Sequence, residues 1–264
     1  MKLSFMTFLY PQLSADAVMA KATQFGYDGI EWRAEAGHKH GVELNARAGV
    51  VKDIRARVAD AGLLTSCLAT SVKFCSPDKA ERDANLERLY AYVDLAAEIG
   101  APCIRFFGDP IPNSGRGARA DSYSVQSGYM AIAAARAAKS GVRLCLETHS
   151  VFRAFDAGEV LFRAGYPSAL WINWHLEHCI NNGEDVDEAY RHVKGRVTHA
   201  HFSMTRVGER DMTPYVEREM ELLHAEGFKG FFSVELFFDN DAEADKAMAE
   251  QAAAWKAAYK RISK

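Results

Sequence analysis

The sequence predicts an α/β fold: eight parallel strands alternating with helices and closing into a (β/α)8 TIM barrel, a single domain over residues 1–264. Three observations carry this. Short apolar runs alternate along the whole chain with segments of helical period, eight of each, and eight strands close a barrel. A length of 264 residues suits one such barrel. Four of the later runs stop abruptly on a side chain of metal-binding type: Glu147, His175, His201 and Glu235, separated by 28, 26 and 34 residues. Each interval is about one strand-plus-helix unit, so the four ends meet at one mouth of a closed barrel. A doubly wound open sheet is the structural rival. Its Gly-x-Gly-x-x-Gly fingerprint is missing from the first turn.

Residues 3–7 read as the first strand. Ser14 caps a helix that places Val18, Ala22 and Phe25 on one face and stops at Gly26. Residues 29–32 form the second strand, with Glu31 at its end. A helix over 45–61 closes at Gly62, and 64–69 is strand three. Ser76-Pro77 is a helix start, cap followed by proline. Leu86, Leu89, Val93, Ala96 and Ile99 then repeat at helical spacing up to Gly100. Residues 103–107 make strand four, and the Gly-, Pro- and Ser-rich stretch 108–119 reads as a long loop. A helix through 130–138 leads to strand five, the run 144–149. Helices near 157–164, 186–193 and 214–226 separate strands at 170–174, 197–202 and 231–236. An alanine-rich helix over 242–262 closes the chain.

Composition excludes several classes. A formal net charge of −3 gives no electrostatic reason to expect nucleic acid or an anionic membrane as partner. The first residues loosely imitate a signal peptide, but Ser4, Thr7 and Pro11 interrupt the apolar run. No stretch approaches the roughly 20 apolar residues of a membrane span. Five cysteines form an odd set without Cys-x-x-Cys spacing, as expected of reduced thiols in a cytoplasmic protein. A homo-oligomer stays open.

Glu147, His175, His201 and Glu235 supply two carboxylates and two imidazoles, a donor set that neutralises a divalent cation while leaving positions for substrate. Glu31 is placed to hydrogen-bond substrate hydroxyls or to orient His201, or else to pair with Arg33 or Arg105. Trp32, Trp174, Phe107 and Phe237 are candidates to wall the pocket; with Glu31, Trp32 and Arg105 count as substrate-binding candidates. His199 shares a face with His201. His38, His40 and His149 are set aside.

Gly26-Tyr27-Asp28-Gly29-Ile30-Glu31, Leu146-Glu147, Trp174-His175-x-x-His178, His199-Ala200-His201 and Val234-Glu235 together resemble the xylose-isomerase-like barrels. These are sugar phosphate isomerases and epimerases, with tagatose and psicose epimerases, inosose dehydratases and hydroxypyruvate isomerases among them. The resemblance implies Glu147, His175, His201 and Glu235 as metal ligands. His175 stands where the family usually has aspartate, which favours manganese, zinc, cobalt or nickel over magnesium. It implies Glu147 and Glu235 as the acid/base pair that moves a proton next to a carbonyl through an enediolate. His178 and Arg206 fall where the family contacts substrate. The expected activity is isomerisation or epimerisation of a small carbohydrate. The alternatives are a dehydratase on the same barrel and a non-catalytic sugar-binding barrel. An apurinic endonuclease is disfavoured, because no Asp-x-His pair follows His201.

Overall fold

The computed structural model describes residues 1–264 except Asn113, Ser114, Thr205, Gly208 and Glu209; for Arg116, Arg206 and Val207 it describes the backbone only. Eight parallel strands form a closed barrel: β1 (Lys2–Met6), β2 (Gly29–Arg33), β3 (Leu64–Lys73), β4 (Cys103–Phe107), β5 (Arg143–Glu147), β6 (Leu170–His175), β7 (Val197–Phe202) and β8 (Phe231–Val234). They follow one another around the ring, and β8 pairs with β1. Outside them lie α1 (Ala15–Phe25), α2 (Val50–Asp60), α3 (Lys79–Ile99), α4 (Arg116–Lys139), α5 (Ala154–Arg163), α6 (Leu176–Asn181), α7 (Val186–Val193), α8 (Thr213–Ala225) and α9 (Asp241–Ile262). A small antiparallel hairpin joins Arg206–Val207 to Arg210–Asp211. Among the described residues no helix is long and apolar enough to cross a membrane.

Strand registry decides what faces inward. Glu31 lies beside Cys67, Arg105 beside Cys145, Glu147 beside Asn173, and His175 beside His201. Residues side by side in a parallel sheet point to the same face, and their chain neighbours point to the other. The barrel interior therefore holds Glu31, Cys67, Arg105, Cys145, Asn173 and His199, all fully buried. The apolar face is turned outward against the helices through Phe5, Ile30, Ile104, Leu146, Ile172 and Phe232, also fully buried. Burying each such side chain contributes about 1.5–3 kcal/mol relative to exposure. Most barrels of this class fill the interior with branched aliphatics. Here the outer layer carries the hydrophobic core, and the interior is free to be polar.

Several boundaries differ from expectation. Strand two runs on to Arg33, so Glu31 sits one pleat below the rim rather than at the strand end. The second helix begins at Val50, because Gly49 turns the chain with φ +86° and turns at 44–45 and 48–49 precede it. The third helix is capped by Asp78, whose Oδ1 accepts the Ala80 N–H at 2.9 Å. Ser76 and Pro77 lie before it, with Ser76 Oγ donating to Glu81. The fourth helix starts at Arg116 and absorbs the end of the expected loop. Tertiary contacts hold that first half: the Tyr123 hydroxyl and Arg119 both donate to Asp156, and Ser127 Oγ lies 2.9 Å from Val160 O. The short helix α6, directly after His175, has no counterpart in the sequence reading.

Candidate metal centre

Glu147, His175, His201 and Glu235 bring one donor atom each to within 4.8 Å of one another. Glu147 Oε1 lies 3.0 Å from both His175 Nδ1 and His201 Nδ1. Glu235 Oε2 lies 2.8 Å from His201 Nδ1 and 3.4 Å from His175 Nδ1. Three of the four end or nearly end their strands at the mouth, and Glu235 follows β8 directly. The main chain of His175 is fixed as well: its N–H donates to Thr148 Oγ1 (2.8 Å), and that hydroxyl donates to His175 O (3.1 Å).

The outer oxygens of the two glutamates face Arg105. Its Nε is 3.1 Å from Glu147 Oε2 and an Nη nitrogen is 3.8 Å from Glu235 Oε1. The guanidinium also donates to Thr70 O (2.8 Å) and stacks on Phe107, 4.3 Å from the ring centroid. Glu31 supports the centre from below. Its carboxylate takes His201 Nε2 at 3.0 Å and His199 Nε2 at 2.8 Å. Asn173 Nδ2 lies 3.2 Å from the His201 ring. A histidine whose far nitrogen is held by a carboxylate while the near one faces other donors is the usual arrangement around a bound metal.

The electrostatics agree. Burial alone would raise the Glu147 carboxyl, but Arg105 and His201 outweigh it and hold it well below the usual carboxylate range. Glu31 is likewise held well below by His201 and His199 against its burial. Burial would depress His201; the carboxylates of Glu31, Glu235 and Glu147 instead raise it well above the ordinary imidazole value. The pocket thus attracts positive charge, whether as a proton on His201 or as a metal ion.

Two atoms test the fit of a metal directly. Glu235 Oε2 is buried without a hydrogen bond, and Glu147 Oε1 lies beside the same two imidazole nitrogens. Glu235 Oε2 has His201 Nδ1 at 2.8 Å, yet the two are not aligned as donor and acceptor. Acceptors brought this close are stabilised by a shared cation. Two carboxylates and two imidazoles form a mixed oxygen and nitrogen set suited to zinc, manganese, cobalt or nickel. The residues fit the group.

The remaining predicted residues are distributed as follows. His178 lies on α6, half-buried, with its ring 4.3 Å from His175 and 4.8 Å from His149. His149 Nδ1 pairs with Asp109 at 2.9 Å. Phe107 sits at the mouth between Arg105 and His149, and Phe237 is 65% exposed with its ring on Phe8. The Arg206 side chain lies outside the described residues. Three expectations are corrected. Glu31 is fully buried beneath His201, which it holds as one of the expected alternatives had it, and it forms no ion pair with Arg33 or Arg105. Arg105, also fully buried, has its guanidinium committed to the two glutamates. Trp32 points outward, its indole donating to Thr65 Oγ1, and Trp174 stacks on Tyr190 of α7. Strand alternation puts both rings in the outer core, away from the pocket. Sequence reasoning missed Asn173 and Thr148. Asn173 stands two residues before His175, as His199 stands two before His201, and that period-two signal would have found it.

The model of the family described as xylose isomerase-like TIM barrel matches residues 19–259. No curated protein sequence matches. Among solved structures, a D-psicose 3-epimerase determined in the presence of D-fructose superposes with a TM-score of 0.80 at 18% identity, covering 100% of both chains. An L-ribulose 3-epimerase gives 0.78 at 18% identity, covering 99% of this chain and 97% of the other. The probable 3-DHS dehydratase AsbF of Bacillus anthracis, involved in petrobactin synthesis, gives 0.76 at 16% identity, covering 97% and 99%. At such identities the likeness is one of fold.

Proposed function

The chain belongs to the xylose isomerase-like TIM barrel family, and from that premise we propose that it is a divalent-metal-dependent isomerase or epimerase. Its substrate would be a small sugar, sugar phosphate or related keto-polyol. The observation that carries this reading is the convergence of Glu147 Oε1 and Glu235 Oε2 on two imidazole nitrogens, with Arg105 gripping the outer oxygens. Glu147, His175, His201 and Glu235 would hold the cation. When bound, it supplies Lewis-acid polarisation of a carbonyl and offsets the negative charge that develops there.

The chain's own groups do the rest. Glu147 and Glu235 come from β5 and the end of β8, three strands apart around the ring, so they approach a sugar in the mouth from different sides. Each is held ionised, and an ionised carboxylate accepts a proton from the carbon beside the carbonyl. Proton return from the other side inverts the centre, and return to the neighbouring carbon isomerises the sugar. A positioned carboxylate contributes about 10²–10⁴-fold. Arg105 and Glu31 orient the acid/base pair and His201. His178 faces the mouth as a substrate contact. The five free thiols fit a reducing compartment, and we place the enzyme in the cytoplasm.

The test joins metal analysis of the purified protein to turnover of ketoses, ketose phosphates and inososes in D2O, followed by NMR. The expected result is stoichiometric metal and solvent deuterium at the carbon beside the carbonyl. Loss of water from the product would reassign the enzyme as a dehydratase. Protein that binds no metal and exchanges no proton in any of these substrates would overturn the proposal.

A further inference from the structure

The mouth holds a second, smaller network that the metal centre does not use. It is built from Thr7, just after β1, and from His38 and His40 in the loop after β2. His40 Nδ1 accepts the Val42 N–H at 3.0 Å, so the ring proton sits on Nε2. That nitrogen lies 3.2 Å from Arg33 O and 3.3 Å from Thr7 Oγ1. Thr7 Oγ1 already accepts the Arg33 N–H at 2.9 Å. The Thr7 proton cannot go to His40 Nε2, which carries one. The acceptor left for it is His38 Nδ1, at 3.3 Å. A neutral imidazole with one nitrogen accepting must carry its hydrogen on the other. The proton of His38 is therefore on Nε2.

Both rings are neutral near pH 7. Burial, then Arg33, push His38 down to about 4, and burial, then His38, push His40 down to about 3. Within the protein, among the described residues, His38 Nε2 has no hydrogen-bond partner. Its ring meets Phe8 at 5.6 Å, and Phe8 meets Phe237, two residues beyond Glu235, at 4.4 Å. The Arg33 guanidinium stands 5.3 Å from the same Phe8 ring. His38 thus belongs to the β1–β2–β8 side of the mouth.

We propose that His38 is a substrate-binding residue. Thr7 fixes its tautomer, so the Nε2–H is presented to the mouth as a donor to a substrate oxygen that the metal centre does not hold. A neutral donor of fixed direction selects for a hydroxyl or carbonyl oxygen at that point, and it distinguishes the substrate from its deoxy analogue. The inference rests on the carbohydrate reading above, and two readouts separate the fates of the two.

The first readout needs no substrate. Long-range 1H–15N correlation on the 15N-histidine-labelled protein at pH 7 is expected to show His38 as the Nε2–H tautomer, and Thr7→Val is expected to release that preference. An Nδ1–H tautomer or an imidazolium in the wild type overturns the proposal. The second readout is steady-state kinetics of the metal-loaded protein on whichever ketose it turns over. His38→Leu is expected to raise KM about three- to tenfold, with kcat and metal content close to wild type and a lower Tm, because the buried Thr7 hydroxyl loses its acceptor. His38→Gln, which can keep an N–H near the Nε2 position, is expected to recover part of the loss. An unchanged KM in His38→Leu overturns the role of His38 and leaves the enzyme reading intact. Failure of the wild type itself to act on any carbohydrate overturns the enzyme reading and the substrate role with it, whatever the tautomer.

Discussion

Arg105 gives the sharpest test of how this site is balanced. Its side chain is fully buried, 3.1 Å from Glu147 Oε2 and 3.8 Å from Glu235 Oε1, and its hydrogen bond to Thr70 O fixes it. Replacing it by methionine keeps much of the volume and removes the charge. Glu147 is then a buried carboxylate whose remaining cationic neighbours are imidazoles. Removing one partner of a buried ion pair costs about 3–5 kcal/mol, because the other is left uncompensated. At about 2–4 °C per kcal/mol for a domain near this size, the metal-free variant is expected to melt roughly 6–20 °C below wild type. A divalent cation would supply the missing charge. Saturating manganese or zinc is therefore expected to raise the Tm of Arg105→Met more than that of wild type and so narrow the gap. Differential scanning calorimetry with chelator and with metal measures both differences. The cycle with Glu147→Gln should give a coupling of about 0.5–3 kcal/mol. The reasoning fails if metal-free Arg105→Met is as stable as wild type, or if metal stabilises the two proteins equally.

Three further outcomes follow from named contacts. Glu31→Gln leaves the four donors in place but removes the carboxylate that holds His201 and His199. Metal affinity by titration against a competing chelator should fall about 10- to 100-fold. Glu219 is buried on α8 with both oxygens unpartnered, and burial raises its pKa well above 4.5. A raised folded-state value means that its contribution is present below pH 4.5 and lost as pH rises. Glu219→Gln should therefore be more stabilising at pH 8 than at pH 5 in urea unfolding. Asp245 behaves oppositely. Burial would raise it, but Lys21 (2.6 Å) and the Tyr10 hydroxyl (2.6 Å) outweigh burial and lower it. Its contribution is present above about 3.8 and lost as pH falls through the lower folded value, so Asp245→Asn should blunt the acid limb of the stability curve. No flattening in Asp245→Asn would mean the three groups do not act together.

Much of the fold was legible because the outer face of a parallel barrel strand must be apolar. Runs such as Leu144-Cys145-Leu146-Glu147 and Phe232-Ser233-Val234 announce themselves against any helix. Helix ends written into the backbone, such as Ser14 and Gly26, were readable too. The first half of α4 was not, because contacts from Tyr123, Arg119 and Ser127 to α5 hold it. Depth along a strand was also hidden. Glu31 looked like a rim residue until β2 proved to run on to Arg33, and Trp32 and Trp174 looked like pocket walls until alternation turned them outward.

The sequence by itself determined a ring of eight strand–helix units and the order in which Glu147, His175, His201 and Glu235 reach one mouth. Both follow from local periodicity and spacing, which a chain carries along its length. Only the tertiary structure decided what each charged group pairs with. Arg105 is 42 residues from Glu147 and 130 from Glu235, and Glu31 is 170 from His201. Closing the barrel brings them within a few ångströms, where low dielectric and the cost of an unpaired buried charge select one set of partners.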